Sequence, residues 1–121
     1  AMEAAREKAH RTLPHFLNVL KDRSATRTAV KVPVAHAEGR DHVWIENVRV
    51  EGDRFVGAVE EEPRPVTKLR KGAILGVTRA EISDWYYVRD GLTYGAWSMR
   101  ALLDRFPKEE ADRMRKLLAP E

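Results

Sequence analysis

The chain has 121 residues, 43% of them hydrophobic and 34% charged, a balance that suits one folded domain and excludes a disordered chain. The 22 Lys and Arg face 19 Asp and Glu, and the net charge of +3 is too small to require a nucleic-acid partner. No cysteine is present, which excludes a disulfide scaffold, a thiol nucleophile and any Cys-based zinc or iron–sulfur site.

The apolar run Ala73-Ile74-Leu75-Gly76-Val77, preceded by Gly72, is far short of the ~20 residues that span a bilayer. Glu3, Arg6, Glu7 and Lys8 interrupt any signal-peptide core. A cytoplasmic protein with no membrane partner is expected. Ala1 reads as a residue added before a start methionine. No repeat, low-complexity tract or linker is visible, so residues 1–121 are expected to form a single domain.

In chain order, Ala9, Leu13, Phe16, Leu17 and Leu20 form one helical stripe. Pro14 interrupts it. Thr12 as an N-cap would start a second helix with Pro14 in its first turn, which predicts helices over 3–11 and 13–22 with a kink between them. Residues 27–34 read as a strand, with Pro33 at an edge or a strand end, and 36–41 as a polar loop. A hairpin follows, with strands 42–51 and 54–60 about the turn Gly52-Asp53. Phe55, Gly57 and Val59 alternate on one face. The mixed phase of Val43, Trp44, Ile45, Val48 and Val50 points to two buried faces or to a bulge near Glu46-Asn47. Short strands are expected at 73–78, 81–88 and 92–96, with Asp90-Gly91 as a turn. Met99, Leu102, Leu103 and Phe106 mark a helix capped by Ser98. Pro107 opens another, with Glu109 and Glu110 in its first turn and Ala111, Met114, Leu117 and Leu118 as its stripe.

Helices over 3–22, about five strands over 27–96 and helices over 98–118 predict an α+β fold. Its antiparallel sheet would be curved, since Gly57, Gly72 and Gly76 allow bending, and could close partway into a small barrel.

The ordered set His42-Val43-Trp44-Ile45-Glu46, Gly52-Asp53-Arg54-Phe55-Val56-Gly57, Glu62-Pro63, Leu69-x-x-Gly72, Glu81-Ile82-Ser83-Asp84-Trp85-x-Tyr87, Gly91 and Ser98-x-Arg100, with Thr12-Leu13-Pro14-x-Phe16 ahead of it, resembles the YegJ-like family of bacterial domains of unknown function. The resemblance covers roughly residues 9–106. It implies a bacterial origin and a single domain, and supplies no catalytic residue. Gly72-Ala73 departs from the Gly-Asp expected there, which speaks against an acid at that turn.

Three constellations carry candidate chemistry. His42, Trp44 and Glu46 at i, i+2 and i+4 share one strand face and could pair a base with its orienter, unless the bulge splits them. Five of the nine aromatic residues lie between Trp85 and Trp97, beside Asp84, and suit either a core or a ligand groove. Residues 64–79 hold Arg64, Lys68, Arg70, Lys71 and Arg79 without an acid, next to Glu60-Glu61-Glu62. Trp44 and Trp85 are expected to be mostly buried. His10 and His15 miss the HExxH spacing, and no serine has a nucleophile-elbow context.

The first reading is a non-enzymatic protein-binding module, with an immunity or antitoxin role as one version. Its surface would be Lys68, Arg70, Lys71, Asp84 and Tyr86. The alternatives are a nucleic-acid or anion binder through 64–79 and a small enzyme using His42, Glu46, Asp84 and Arg100. No cofactor and no metal are expected. The expected partner is another protein.

Overall fold

The computed structural model describes residues 2–121; Ala1, and with it the reading of an added residue, lies outside them. Over the described residues the protein is α+β, with three α-helices and six antiparallel strands that do not close into a barrel. Its contacts divide into two compact units. One runs from the N-terminal residues to Arg27 and takes in Asp84–Glu121; the other is Thr28–Ser83.

The second unit is an open, curved antiparallel meander of β1 (Arg27–His36), β2 (Gly39–Glu51), β3 (Arg54–Val59) and β4 (Ile74–Thr78). Its buried face is Val30, Val32, Ile45, Phe55, Val59 and Val77, the alternation expected of a half-buried sheet. The expected loop at 36–41 is instead a tight turn at Ala37-Glu38, with His36 paired opposite Gly39. The Glu38 N–H donates to His36 Nδ1 at 3.1 Å, a local bond that lets polar residues finish a hairpin rather than a loop. The turn at Gly52-Asp53 stands as expected, and of the two readings of the mixed phase in β2 the bulge is present. The β2–β3 register shifts between Glu46 and Arg49, and Asn47 takes a left-handed φ of 54°.

Pro33 sits inside β1, opposite His42. The Glu60 N–H donates to the Trp44 carbonyl, so the Trp44 peptide faces β3, and by alternation so does that of His42. Pro33 therefore occupies a non-hydrogen-bonded pair with β2, where its missing N–H costs no ladder bond. The glycines do not close a barrel, because β4 remains an edge strand. Gly57 serves a close approach instead, since a Cβ there would stand 2.6 Å from the Glu46 carbonyl oxygen at the bulge.

The first unit holds α1 (Met2–Asp22), the hairpin β5 (Asp84–Arg89) and β6 (Leu92–Gly95), α2 (Trp97–Leu102) and α3 (Lys108–Leu117). The expected break at Thr12–Pro14 is absent: α1 continues through Pro14. Thr12 is not a cap. Its hydroxyl donates to the Lys8 carbonyl at 2.6 Å and accepts from Trp97 Nε1 at 3.2 Å, while Trp85 Nε1 donates to the Ala9 carbonyl at 3.1 Å. Side chains from 70 or more positions away thus bond the turn that the proline weakens, and packing outweighs local propensity. The buried stripe is Ala5, Ala9, Leu13, Phe16 and Val19, with Leu17 and Leu20 at its margin.

The strand expected at 81–88 starts at Asp84, because Arg79–Glu81 forms a 3₁₀ turn in which Glu81 Oε1 accepts from Thr78 N and Oγ1. The stripe read at Met99, Leu102, Leu103 and Phe106 buries only Leu103; Met99 and Phe106 are exposed. Helix α2 lasts six residues and passes into a 3₁₀ turn at Leu103–Arg105, and the change from 3.6 to 3 residues per turn breaks the stripe. In α3 Ala111 is buried and Leu117 exposed; Leu118 lies parallel beside Thr93 of β6.

Candidate functional site

Asp84 is the buried polar centre of the first unit, with 0% exposure. Its Oδ1 accepts from the N–H groups of Trp85 (2.8 Å) and Trp97 (3.1 Å). Its Oδ2 accepts from the Ser98 N–H (2.8 Å) and hydroxyl (2.5 Å). Asp84 therefore caps α2 from another strand, the role expected of Ser98. Burial pushes its carboxyl up from the ordinary value, and the four donors oppose that rise. A side chain so enclosed belongs to no docking surface, which removes Asp84 from the expected set. Tyr86 points to the opposite face from Trp85 and Tyr87 and is half-buried, with its hydroxyl 3.4 Å from an Arg27 Nη. Arg100 donates to the carbonyls of Gly95 (2.7 Å) and Thr93 (3.4 Å), tying β6 to α2.

Trp85 is buried as expected and stacks on Phe16 (5.3 Å) and Tyr87 (5.9 Å). The Tyr87 hydroxyl meets His15 Nε2 at 2.8 Å. This aromatic stack is core. Around its edge Tyr94 and Trp97 line a cleft of about 300 Å³ with Lys8, Arg100 and Glu121.

In the second unit Trp44 is only half-buried, its ring facing the Lys31 ammonium at 5.7 Å. His42, Trp44 and Glu46 do share one face of β2, because the bulge begins after Glu46 and leaves the set whole. His42 is exposed, and its Nδ1 lies 3.4 Å from Ser83 Oγ. No three metal-ligating side chains converge among the described residues. The enzyme reading drew His42 and Glu46 from this unit and Asp84 and Arg100 from the other, where both are committed to the backbone of β6 and α2.

A cluster that no sequence pattern announced lies beside that face. Arg64 grips Asp41 with two bonds of 2.7 Å, Nε to Oδ2 and Nη2 to Oδ1. His36 Nε2 stands 3.0 Å from Asp41 Oδ1. His36 Nδ1 accepts from the Glu38 N–H, which turns the Nε2 edge of the ring toward the carboxylate. The cluster borders a groove of about 460 Å³ lined by Arg40, His42, Trp44 and Glu60–Arg64. Arg64 and His36 hold the Asp41 carboxyl well below its ordinary value of 3.8. A depressed carboxyl stabilises the fold above its unfolded value and loses that contribution as pH falls through the folded one. Asp41→Asn should therefore lower the urea midpoint at pH 6, and the gap to the parent should narrow as pH falls below about 4. An equal gap at pH 6 and at pH 2.5 would show that the pair contributes nothing through ionisation.

Arg64 is thus engaged, whereas Lys68, Arg70 and Lys71 are exposed along the segment that leads into β4. Glu62 accepts from the Lys71 backbone N–H at 3.1 Å. Lys68 has a left-handed φ of 61° at the end of the 3₁₀ turn Pro65–Thr67. No helix among the described residues is long and apolar enough to cross a membrane.

Fold and sequence together define a conserved bacterial α+β domain. The chain belongs to the family described as "Uncharacterized protein conserved in bacteria (DUF2314)", whose profile matches residues 1–118. It is similar to "Uncharacterized protein YegJ" of Escherichia coli (strain K12), 32% identical over 118 residues that cover 98% of this chain and 77% of that protein. It is also similar to a protein of Neisseria meningitidis serogroup B named "Putative ankyrin repeat protein NMB1133/NMB1171", 31% identical over 86 residues, 67% of this chain and 34% of that one. No solved structure matches.

Proposed function

We propose that the protein is a non-enzymatic protein-binding module whose docking edge is β4 together with the basic segment before it. The observation that carries this reading is the edge itself. The Val59 N–H donates to the Ala73 carbonyl, so by alternation Leu75 and Val77 bond to β3 while Ile74 and Gly76 turn their peptide groups outward. Ile74 is 61% exposed. The Gly76 carbonyl takes one long bond of 3.3 Å from Arg54, and Glu81 caps the Thr78 N–H, which leaves the middle of the edge for strand addition. Lys68, Arg70 and Lys71 lie before β4 and Arg79 after it, with no acid between positions 63 and 80. An extended acidic segment of another protein complements that edge. The name of the Neisseria relative supports the reading, since ankyrin repeats build extended binding surfaces. A toxin neutralised by capture is one concrete partner.

Arg70→Glu with Lys71→Glu reverses the charge, and Gly76→Pro removes an outward N–H at an edge position that tolerates proline. Each variant should keep its melting temperature within a few degrees and lose at least about tenfold of a partner captured from nuclease-treated host lysate. Unaltered capture by both folded variants eliminates this edge and leaves the His42–Glu46 face. Capture that disappears with nuclease treatment supports the nucleic-acid reading instead.

A further inference from the structure

The cleft at the rim of the aromatic stack has a different chemistry and lies wholly within the first unit. Trp97 meets Trp85 edge-on, with ring centroids 6.1 Å apart and planes at 90°. Trp85 is buried and stacked on Phe16 and Tyr87, so it backs the cleft, and the ring surface open to a flat group is that of the half-buried Trp97 and Tyr94. Trp85 and Trp97 are fixed in place by their Nε1 bonds to Ala9 and Thr12. The wall that Trp97 forms is therefore in place before any ligand arrives.

Two cations flank it. Lys8 Nζ stands 4.4 Å from the Trp97 ring centroid and Arg100 Cζ 5.1 Å from it. A carboxylate already sits at this end: Glu121 Oε1 accepts from Lys8 Nζ at 2.9 Å. Both partners of that pair are solvent-exposed, 36% and 60%, so the bond is weak and easily exchanged. The cationic end thus takes a carboxylate, and the one it holds is a displaceable one from the same chain.

We propose that this cleft binds a small aromatic carboxylate, its ring against Trp97 and Tyr94 and its carboxylate replacing Glu121 on Lys8. A volume of about 300 Å³ is at the lower end of small-molecule sites and admits one or two fused rings. The site is independent of the β4 edge, so either can fail without the other.

Isothermal titration of the full chain with 2-naphthoate and with its uncharged isostere 2-naphthamide tests this. The acid should bind at least about tenfold more tightly than the amide, the difference made by one ionic contact near apolar walls. Glu121→Gln removes the internal competitor. It should tighten naphthoate severalfold and leave naphthamide unchanged. Lys8→Gln should bring the acid down to the affinity of the amide. Trp97→Ala should weaken both. Lys8 and Glu121 are surface groups, so those two variants stay folded, and a melting curve of each verifies it. No saturable heat with either compound, in the parent and in Glu121→Gln alike, overturns the proposal. Equal affinity for acid and amide overturns it too, as does naphthoate binding that Glu121→Gln fails to tighten.

Discussion

Replacing Gly95 with Ala should destabilise the protein by roughly 2–5 kcal/mol, a large part of the total stability of a small domain. Two costs coincide there. Gly95 has a φ of +80°, a conformation that an L side chain rarely adopts. A Cβ at this position would also stand 2.4 Å from Trp85 Cζ3 and 2.6 Å from the Trp85 carbonyl oxygen. Neither neighbour can yield. The indole is stacked on Phe16 and Tyr87 and bonded to α1 through Nε1, and the carbonyl accepts the Ala96 N–H at 2.7 Å. Ala96 follows with a left-handed φ of 52°. These two residues turn the chain out of β6 so that the N–H groups of Trp97 and Ser98 converge on Asp84, as successive amides do around an anion. Urea unfolding measures the loss, and near-ultraviolet circular dichroism reports the tryptophan packing. A Gly95→Ala variant within 0.5 kcal/mol of the parent (roughly the scatter of surface substitutions) would falsify the close-approach argument.

Asp84→Ala should be comparably severe, about 3–6 kcal/mol, since three backbone N–H groups lose their acceptor inside the fold at ~1–3 kcal/mol each. Asp84→Asn keeps one acceptor oxygen and the shape, and should cost about half as much. The pH dependence separates charge from geometry. Burial raises the Asp84 carboxyl in the folded state. A raised carboxyl gives its full contribution below the unfolded value and loses it as pH rises through the folded one. The parent should therefore lose stability relative to Asp84→Asn as pH rises from 4 to 8, opposite in sign to the behaviour expected of Asp41. A gap between parent and Asp84→Asn that widens over that range would mean that the four donors outweigh burial. Loss of the cap should appear first in α2, as faster hydrogen exchange there than in α1.

The amino-acid sequence by itself determined the elements whose signals are local. Alternation and Gly52-Asp53 specify the β2–β3 hairpin, the phase conflict around Glu46-Asn47 marks the bulge as one of two readings, and the apolar stripe specifies α1 as helical. Composition alone also made Lys68, Arg70 and Lys71 an exposed basic segment. Only the tertiary structure decided the rest, because each remaining feature depends on groups distant in the chain. Pro14 stays helical because Trp85 and Trp97 bond and pack the turn it weakens. The cap of α2 comes from Asp84, on a strand that precedes it, rather than from the adjacent Ser98. Asp41 meets Arg64 across 23 positions with no spacing to announce it. Propensity and periodicity act over one or two turns, whereas a buried carboxylate, a salt bridge or an indole N–H takes whichever partner the folded chain places within 3 Å.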